Sequence, residues 1–476
     1  MMKESLNSKF ILVSLALILF SLLSYSQNDY NIKFKIHDIE DSIVYVKTVY
    51  GKETIILDTL ELNKDGFFYF DKKGLHQGLA VVCLKHQDLF TFLLDKNKNF
   101  EIEISASGEN TVKGCDQNDL YLEYQKENSS FRLLENQIKQ ELKTNKQANK
   151  DSLIAVYNTQ RNHFAVFQQN FYSTYPNHMM SIIVKALEDP KMPSKFYIGK
   201  DFDTTKTAEF AYYFRKHYWE NFRFDDNRIL ATPYFFTKLK KYIDEITIQD
   251  PDSMIGSLKD FVVLANSKSG QEYSKYAMDY YLKVYSKMPF STHEKCFVNI
   301  VDNIISEQNT PWLLPSEIQE LRIQADKVRT ILPGNQIKNI TEKTLDKKSL
   351  SLYDIKNKYT ILYFWSAGCE SCKKELELLE KFYNEYKLIY DVEIFSVDLD
   401  LNIKESINFA KTHPFNWIVT KTTAEDIMEK YGLDVALTPD LYVLDSNKKI
   451  LHHAAQYQSV INFIKRNEII NKSKNN

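Results

Sequence analysis

Residues 360–375 read TILYFWSAGCESCKKE, and this stretch decides the fold of the C-terminal part of the chain. Its first six residues form a largely apolar and aromatic run, which is typical of a strand buried on both faces of a parallel sheet. From Cys369 to about Tyr386 the apolar residues recur at helical spacing. The stretch therefore predicts a buried strand that leads directly into a helix.

The order of elements continues in the same way to the end of the chain. The periodicity predicts a buried strand at Asp391–Asp398, helices near 403–412 and 423–431, and a short strand at Trp417–Thr420. A hairpin of residues 441–445 with 449–453 follows, and then a last helix at 457–467. A short hairpin of residues 337–340 with 349–352 precedes the first strand. Alternation of strands and helices predicts an α/β domain over residues 331–476.

Cys369 and Cys372 form a C-x-x-C pair at the junction between the predicted strand and helix. A thiol at a helix N-terminus faces unpaired backbone N–H groups and the positive end of the helix dipole, and both stabilise a thiolate over a thiol. The second cysteine lies one turn further into the helix and can close a disulfide ring. We therefore predict that Cys369 attacks a substrate disulfide and that Cys372 resolves the mixed disulfide.

Half of a structural zinc site is the alternative for this pair, and it would need two further ligands nearby. The remaining cysteines stand alone, and His452 and His453 are adjacent on a predicted strand, so their side chains point to opposite faces. We therefore expect neither a metal nor another cofactor. Cys83 and Cys115 could pair with each other, although burial as small apolar residues is favoured.

The segment from Tyr363 to Glu375 resembles the active site of the thioredoxin superfamily, and Thr438-Pro439 matches the second signature of that family. Within the superfamily it is most similar to the extracytoplasmic branch that acts in thiol reduction and cytochrome c maturation. The resemblance implies a cis proline that faces the cysteines. It also implies that Thr438 and Pro439, with Trp365, bind substrate, and that Glu375 accepts the proton of the resolving thiol.

Three positions depart from the pattern of the family. Tyr363 stands where cytoplasmic thioredoxins carry a buried aspartate, which is why Glu375 becomes the candidate proton acceptor. Ser371 stands where proline is common, and Gly368 stands where tryptophan often precedes the first cysteine. For Glu375, a solvated glutamate on the exposed face of the helix is the alternative interpretation.

Two different periodicities precede the α/β domain. Residues 27–115 contain short alternating strands separated by glycine and aspartate turns, which predicts an antiparallel β domain of the sandwich or small-barrel type. Residues 116–330 change to helical spacing, with Leu133, Leu134, Ile138 and Leu142 on one expected face. These stretches resemble the β domain and the helical domain of unknown function that precede thioredoxin modules in some bacterial envelope proteins.

The first 26 residues have the pattern of a secretory signal. Lys3 and Lys9 precede an uncharged apolar run at 10–23, and Ser24 and Ser26 suit cleavage before Gln27. An uncleaved membrane anchor is the alternative. The 61 basic and 63 acidic residues give a net charge of −2, which argues against nucleic acid as a partner.

The sequence as a whole predicts a multidomain enzyme, an exported thiol-disulfide oxidoreductase of the periplasm or cell envelope. Its expected partners are envelope proteins with disulfides or reactive thiols and an upstream membrane thiol reductant. Two alternatives stay open: an envelope adaptor with a vestigial thioredoxin module, and a thiol peroxidase of the same fold. The peroxidase would need a Thr-x-x-Cys motif, whereas Ser366 occupies the threonine position.

Overall fold

The structure is a computed structural model that describes residues 30–105, 110–144, 149–198, 201–202, 204–287, 291–344, 346–435 and 437–474. The predicted signal segment lies outside these ranges. Backbone contacts divide the chain into two compact units, one of residues 1–247 with 265–273 and the other of 248–264 with 274–476. The second unit therefore joins helices from upstream of residue 331 to the C-terminal α/β domain.

Strands β1 to β8 build the N-terminal β domain, and the sequence-based expectation of antiparallel sheets is confirmed. The strands are Tyr30–Ile36, Ile43–Tyr50, Glu53–Glu61, Phe68–Lys72, Gly78–Cys83, Asp88–Leu94, Asn99–Ile104 and Thr111–Lys113. They form two sheets, in the orders β4-β1-β7-β8 and β3-β2-β5-β6. One pair, β1 with β7, is parallel. Alternate residues such as Ile32 and Phe34 are buried in a shared core.

The helical region begins where β8 ends. Its helices, α1 to α9, are Asp116–Thr144, Lys150–Thr174, Met179–Leu187, Thr207–His217, Pro233–Lys240, Pro251–Ser267, Gln271–Lys287, Ser291–Asn303 and Pro315–Arg329, and a two-stranded ribbon, β9 (Tyr197–Ile198) with β10 (Asp201–Phe202), lies before α4. The expected apolar face of α1 needs correction. Ile138 is buried, but Leu133 and Leu142 are exposed, because Tyr121 and Tyr124 supply much of the buried surface of that helix.

The aromatic residues between α4 and α5 form part of a packed core. Tyr218, Trp219, Phe222 and Phe224 are all buried, and so is Phe235 of α5, which packs against them. Their rings meet mostly edge to face or tilted, as aromatic side chains do in protein interiors. These aromatic residues therefore contribute to the core of the helical region.

The C-terminal domain is a mixed sheet flanked by helices. Strands β11 to β17 are Thr341–Thr344, Ser349–Ser351, Tyr359–Trp365, Val392–Asp398, Ile418–Lys421, Asp440–Leu444 and Ile450–Ala454, in the sheet order β12-β11-β15-β14-β13-β16-β17. Helices α10 to α13 are Glu370–Tyr386, Ile403–Thr412, Ala424–Tyr431 and Tyr457–Lys474. Every residue of the central strand β13 is buried, as its apolar run predicts.

The first predicted hairpin strand is displaced along the chain. We expect it at 337–340, but β11 begins at Thr341. Ile337 and Ile340 are buried in the domain core, yet the N–H of Ile337 donates to the carbonyl of Lys448 and not to a β12 residue. The apolar residues of this irregular segment are buried, and in the sequence their pattern is like that of a strand. Within the described part of the chain, no helix combines the length and the apolar character needed to cross a bilayer.

Candidate active site

The C-x-x-C pair lies where strand β13 passes into helix α10. Cys369 occupies the N-cap position of the helix, and its Sγ accepts a hydrogen bond from the backbone N–H of Cys372 at 3.1 Å. This donor is one of the N–H groups that a helix leaves unsatisfied at its first turn. The same geometry stabilises negative charge on the sulfur of Cys369 once the pair is reduced.

The two sulfurs are bonded to each other in a disulfide, with Cα atoms 5.2 Å apart. The two cysteines differ in exposure, because Cys369 is half-buried whereas Cys372 is 0% exposed. A substrate can therefore reach the first sulfur but not the second. This asymmetry matches the assignment of attack to Cys369 and of resolution to Cys372, roles that remain predictions.

Asp400 fixes the loop that leads to the cysteines, and sequence analysis missed it. Its carboxylate accepts hydrogen bonds from the hydroxyl of Ser366 at 2.7 Å and from the N–H of Gly368 at 2.6 Å. Although partial burial opposes the charged form, these bonds lower the pKa of Asp400 below its ordinary value. A Cβ atom on residue 368 would lie 3.1 Å from the Asp400 carboxylate, so the close approach suits glycine.

The Thr438-Pro439 segment faces the cysteines. Its peptide bond is cis, as the family resemblance implies. The carbonyl oxygen of Thr438 lies 3.6 Å from the Sγ of Cys369. Both residues are half-buried, while the neighbouring Leu437 is 73% exposed. The carbonyl of Thr438 thus borders the accessible sulfur, next to an exposed apolar side chain.

Glu375 does not lie on a freely solvated helix face. It is half-buried, and its carboxylate accepts a hydrogen bond from the N–H of Tyr457, the first residue of α13, at 2.6 Å. The hydroxyl of Tyr363 donates to the carbonyl of Cys372 at 3.2 Å. Burial first, and the charge of Glu375 second, raise the pKa of that hydroxyl above its ordinary value. The hydroxyl of Tyr363 therefore bonds to the backbone of the resolving cysteine and also interacts electrostatically with the carboxylate of Glu375.

The expectation that Trp365 contacts substrate needs correction. Its side chain is 1% exposed and packs against Phe409 and Phe415, with ring centroids 5.5 Å apart in both pairs. A side chain so enclosed offers no surface to a bound peptide. Trp365 instead supports the end of β13 from inside the domain.

The other cysteines and histidines bear on the zinc alternative. Cys83, Cys115 and Cys296 are buried free thiols. His452 bonds to Ser459, whereas His453 bonds to Asp440 and Glu294, so the two adjacent rings point in opposite directions as predicted. Within the described ranges, no group of three or more His, Cys, Asp or Glu residues is arranged to hold a metal ion.

Two family models match parts of the chain. Residues 333–453 match the AhpC/TSA family, and residues 202–328 match a domain of unknown function, DUF5106. The C-terminal domain is therefore thioredoxin-like. Sequence analysis placed both stretches correctly in order, with the helical domain before the redox module.

Individual relatives agree with the C-terminal match. The chain is 29% identical over 118 residues to the thiol-disulfide oxidoreductase ResA of Bacillus thuringiensis, a match of 25% of this chain and 66% of that protein. ResA of Bacillus subtilis is 28% identical over 122 residues, 26% of this chain and 66% of the relative. The chain thus spans about two thirds of the length of the curated relatives that it matches.

A solved structure of a thioredoxin-like protein from Bacteroides caccae covers 59% of this chain and 98% of its own length, with 18% identity and a TM-score of 0.48. A domain of a possible thiol-disulfide isomerase from Cytophaga hutchinsonii covers 30% of this chain and 97% of its own length, with 26% identity and a TM-score of 0.27.

Proposed function

We propose that the protein is an exported thiol-disulfide oxidoreductase that reduces disulfides of envelope proteins through the Cys369–Cys372 pair. The observation that carries the proposal is the arrangement around Cys369. Its sulfur is half-exposed, receives an N–H donor at the start of α10 and lies beside the carbonyl of Thr438, whereas its disulfide partner is buried. The named activity of the ResA relatives supports the same chemistry.

The reduction proceeds in two exchanges. The thiolate of Cys369 attacks one sulfur of the substrate disulfide, a mixed disulfide forms, and the other substrate sulfur leaves as a thiolate that takes up a proton. Cys372 then loses its proton and attacks the sulfur of Cys369. The second substrate thiol is released, and the disulfide of the structure forms. The protein has then given two electrons to the substrate, and an upstream membrane dithiol restores the reduced pair.

The backbone beside Cys369 gives the substrate a place to bind. The carbonyl of Thr438 borders the sulfur, and a carbonyl in this position can accept an N–H of an extended peptide, as in strand addition to a sheet. Leu437, which is 73% exposed, offers an apolar contact next to it. These features suit a disulfide within an extended or unfolded segment of another protein.

Export rests on the N-terminal segment, with its apolar run at 10–23 and small residues at 24 and 26. Protein disulfides persist in an oxidising compartment outside the cytoplasm, so an export signal fits the proposed reduction of disulfides. Participation in cytochrome c maturation is the narrower proposal that the resemblance to the extracytoplasmic branch supports.

The two alternatives gain less support from the site. A peroxidase needs a free hydroxyl near the attacking cysteine, but the Ser366 hydroxyl donates to the Asp400 carboxylate, which places negative charge there. An adaptor with vestigial cysteines would not need an accessible sulfur that accepts a backbone N–H, next to a partner cysteine that is buried.

Insulin reduction with dithiothreitol as electron donor tests the proposal. We expect the parent protein to accelerate precipitation of the insulin B chain at least about tenfold over dithiothreitol alone, and Cys369→Ser to abolish the acceleration. Cys296→Ala, which removes a buried free cysteine elsewhere, is the matched control and should retain activity. A parent protein no faster than dithiothreitol alone would favour the adaptor.

A further inference from the structure

A buried histidine lies between two carboxylates close to the candidate active site. The Nε2 atom of His453 on β17 lies 2.5 Å from a carboxylate oxygen of Asp440, and its Nδ1 atom lies 2.7 Å from one of Glu294 on α8. The side chains of His453, Asp440 and Glu294 are 2%, 9% and 8% exposed, respectively. A neutral imidazole donates from one nitrogen only, so two carboxylate partners require the protonated ring.

The electrostatics of the cluster agree with a charged ring. Burial alone would lower the pKa of His453, but Asp440 and Glu294 outweigh it and raise that pKa to about 10. The ring of Tyr442 stacks on it at 4.0 Å, and the neighbouring His452, whose ring points to the opposite side, interacts with it electrostatically. Burial and the adjacent charge lower the pKa of His452 to about 4, so that ring is neutral near pH 7.

The cluster connects directly to the segment beside the reactive sulfur. Asp440 follows Pro439 and begins β16, where its backbone pairs with Phe364 of the central strand. The Thr438 carbonyl, 3.6 Å from the Sγ of Cys369, is two residues before Asp440. Asp440 is therefore both a partner of His453 and a close neighbour in the chain of the backbone that borders the sulfur.

Helix α8 holds the histidine from the other side. Besides the contact of Glu294, the hydroxyl of Ser291 accepts a hydrogen bond from the backbone N–H of His453 at 2.7 Å. Helix α8 lies within residues 202–328, the stretch that matches the domain of unknown function. Since the hydroxyl of Ser291 also donates to the carbonyl of His453 at 3.3 Å, one helix of that stretch makes three polar contacts to a single residue of the thioredoxin-like domain.

We propose that Glu294 and His453 are positioning residues, which hold Asp440 and through it the Thr438-Pro439 segment in the orientation that receives an extended peptide beside Cys369. The inference rests on the proposed function and extends it, because it gives helix α8 a part in peptide binding. Neither residue touches the sulfurs, so the first attack by Cys369 on a small disulfide does not depend on them.

Stability alone is a weak reason for such a cluster. Replacing a buried ion pair by well-packed apolar residues is often neutral or stabilising, because the desolvation penalty of the two charges offsets most of their electrostatic attraction. A buried charge next to a substrate segment has a clearer role in fixing one orientation of that segment. The test must therefore measure binding and its pH dependence rather than stability.

Glu294→Gln is the informative variant, with a disulfide-containing peptide as substrate between pH 6 and 9. We expect KM to rise about fivefold at pH 7 with kcat within about twofold of the parent, as for the loss of uniform binding. Neutralising Glu294 removes one of the two groups that raise the pKa of His453. That pKa falls, so as pH rises His453 loses its proton, Asp440 loses a charged partner, and KM increases. In the parent, KM should not show this increase, because a pKa of about 10 lies above the range.

Glu468→Gln is the matched control. Glu468 is another buried carboxylate of the same compact unit, bonded to Lys358 and Tyr359, and its loss should leave KM and its pH profile unchanged. Reduction of a small aromatic disulfide and alkylation of Cys369 should match the parent in both variants. These two measurements report on the reactivity of the Cys369 thiol and do not depend on binding of a peptide to the Thr438-Pro439 segment.

A folded Glu294→Gln protein with the parent's KM at every pH would overturn the inference. Should that variant fail to fold, Glu294→Asp keeps the charge on a shorter side chain. It should raise KM without the new pH dependence, and a parent-like KM in it would equally overturn the inference. A parent protein that reduces neither disulfide would contradict the proposed function itself, which separates the two failures.

Discussion

The carboxylate of Glu375 on α10 accepts a hydrogen bond from the backbone N–H of Tyr457, the first residue of α13. One side chain thus joins the helix of the active site to the last helix of the chain. It also satisfies one of the N–H groups that a helix N-terminus leaves without an internal partner. Glu375 therefore has a structural contact in addition to its predicted role as proton acceptor.

Two substitutions separate these roles. Glu375→Ala removes the acceptor for Tyr457 and should lower the free energy of unfolding by about 1 kcal/mol. Glu375→Gln keeps an acceptor oxygen, so its unfolding in urea should lie close to the parent. It loses the basic group, and release of substrate from the mixed disulfide should slow while the first alkylation of Cys369 changes little. If Glu375→Gln released substrate at the rate of the parent across the accessible pH range, Glu375 would not act as the proton acceptor, and its role would be the structural contact alone.

Asp400 should contribute stability that depends on pH. Its pKa in the folded protein is lowered from the ordinary value of 3.8 by the hydrogen bonds from Ser366 and Gly368, although burial opposes this. Its contribution is therefore present above pH about 4 and is lost as pH falls through the lowered pKa. Urea unfolding of the parent and of Asp400→Asn should show a stability difference near neutral pH that shrinks below pH 4. A difference that stays constant into acid would mean that the hydrogen bonds do not favour the charged form.

A fragment of residues 331–476 should unfold cooperatively, because it contains the whole β11–β17 sheet and helices α10 to α13. Its urea midpoint should be lower than that of a fragment of residues 248–476. The shorter fragment lacks Glu294 and Ser291, which leaves His453 with Asp440 but without its partners on α8. Equal midpoints for the two fragments would show that α8 adds nothing to the stability of this domain.

Mature protein recovered from the envelope of the native cell should begin at Gln27. Ser24 and Ser26 provide the small residues at the −3 and −1 positions that signal peptidase requires. Mass spectrometry of the intact protein measures the N-terminus directly. A mass that includes the first 26 residues would instead indicate an uncleaved anchor.

Much of the C-terminal domain could be predicted because its signals are local. The apolar run before Cys369 fixes a buried strand, and the helical spacing after it fixes α10 to within one residue at its start. The C-x-x-C motif and Thr438-Pro439 each lie in a few consecutive residues. Local patterns of this kind can be recognised without knowing which distant residues pack against them.

The features that sequence analysis missed depend on distant contacts. Asp400 is 32 residues from Gly368, and His453 is 159 residues from Glu294, so no periodicity connects either pair. The burial of Trp365 could not be read from its position, since a residue at the end of a strand can face either the core or a ligand.

Trapping of the mixed disulfide in Cys372→Ser tests the central claim most directly. Reduced Cys372→Ser protein is mixed with a peptide that contains one disulfide, and the products are mapped by mass spectrometry after digestion. Because resolution is blocked, we expect a stable adduct of one peptide per protein on Cys369, and none in Cys369→Ser under the same conditions. An adduct that forms equally fast on Cys372 in Cys369→Ser, or no adduct in either variant, would contradict the proposed chemistry.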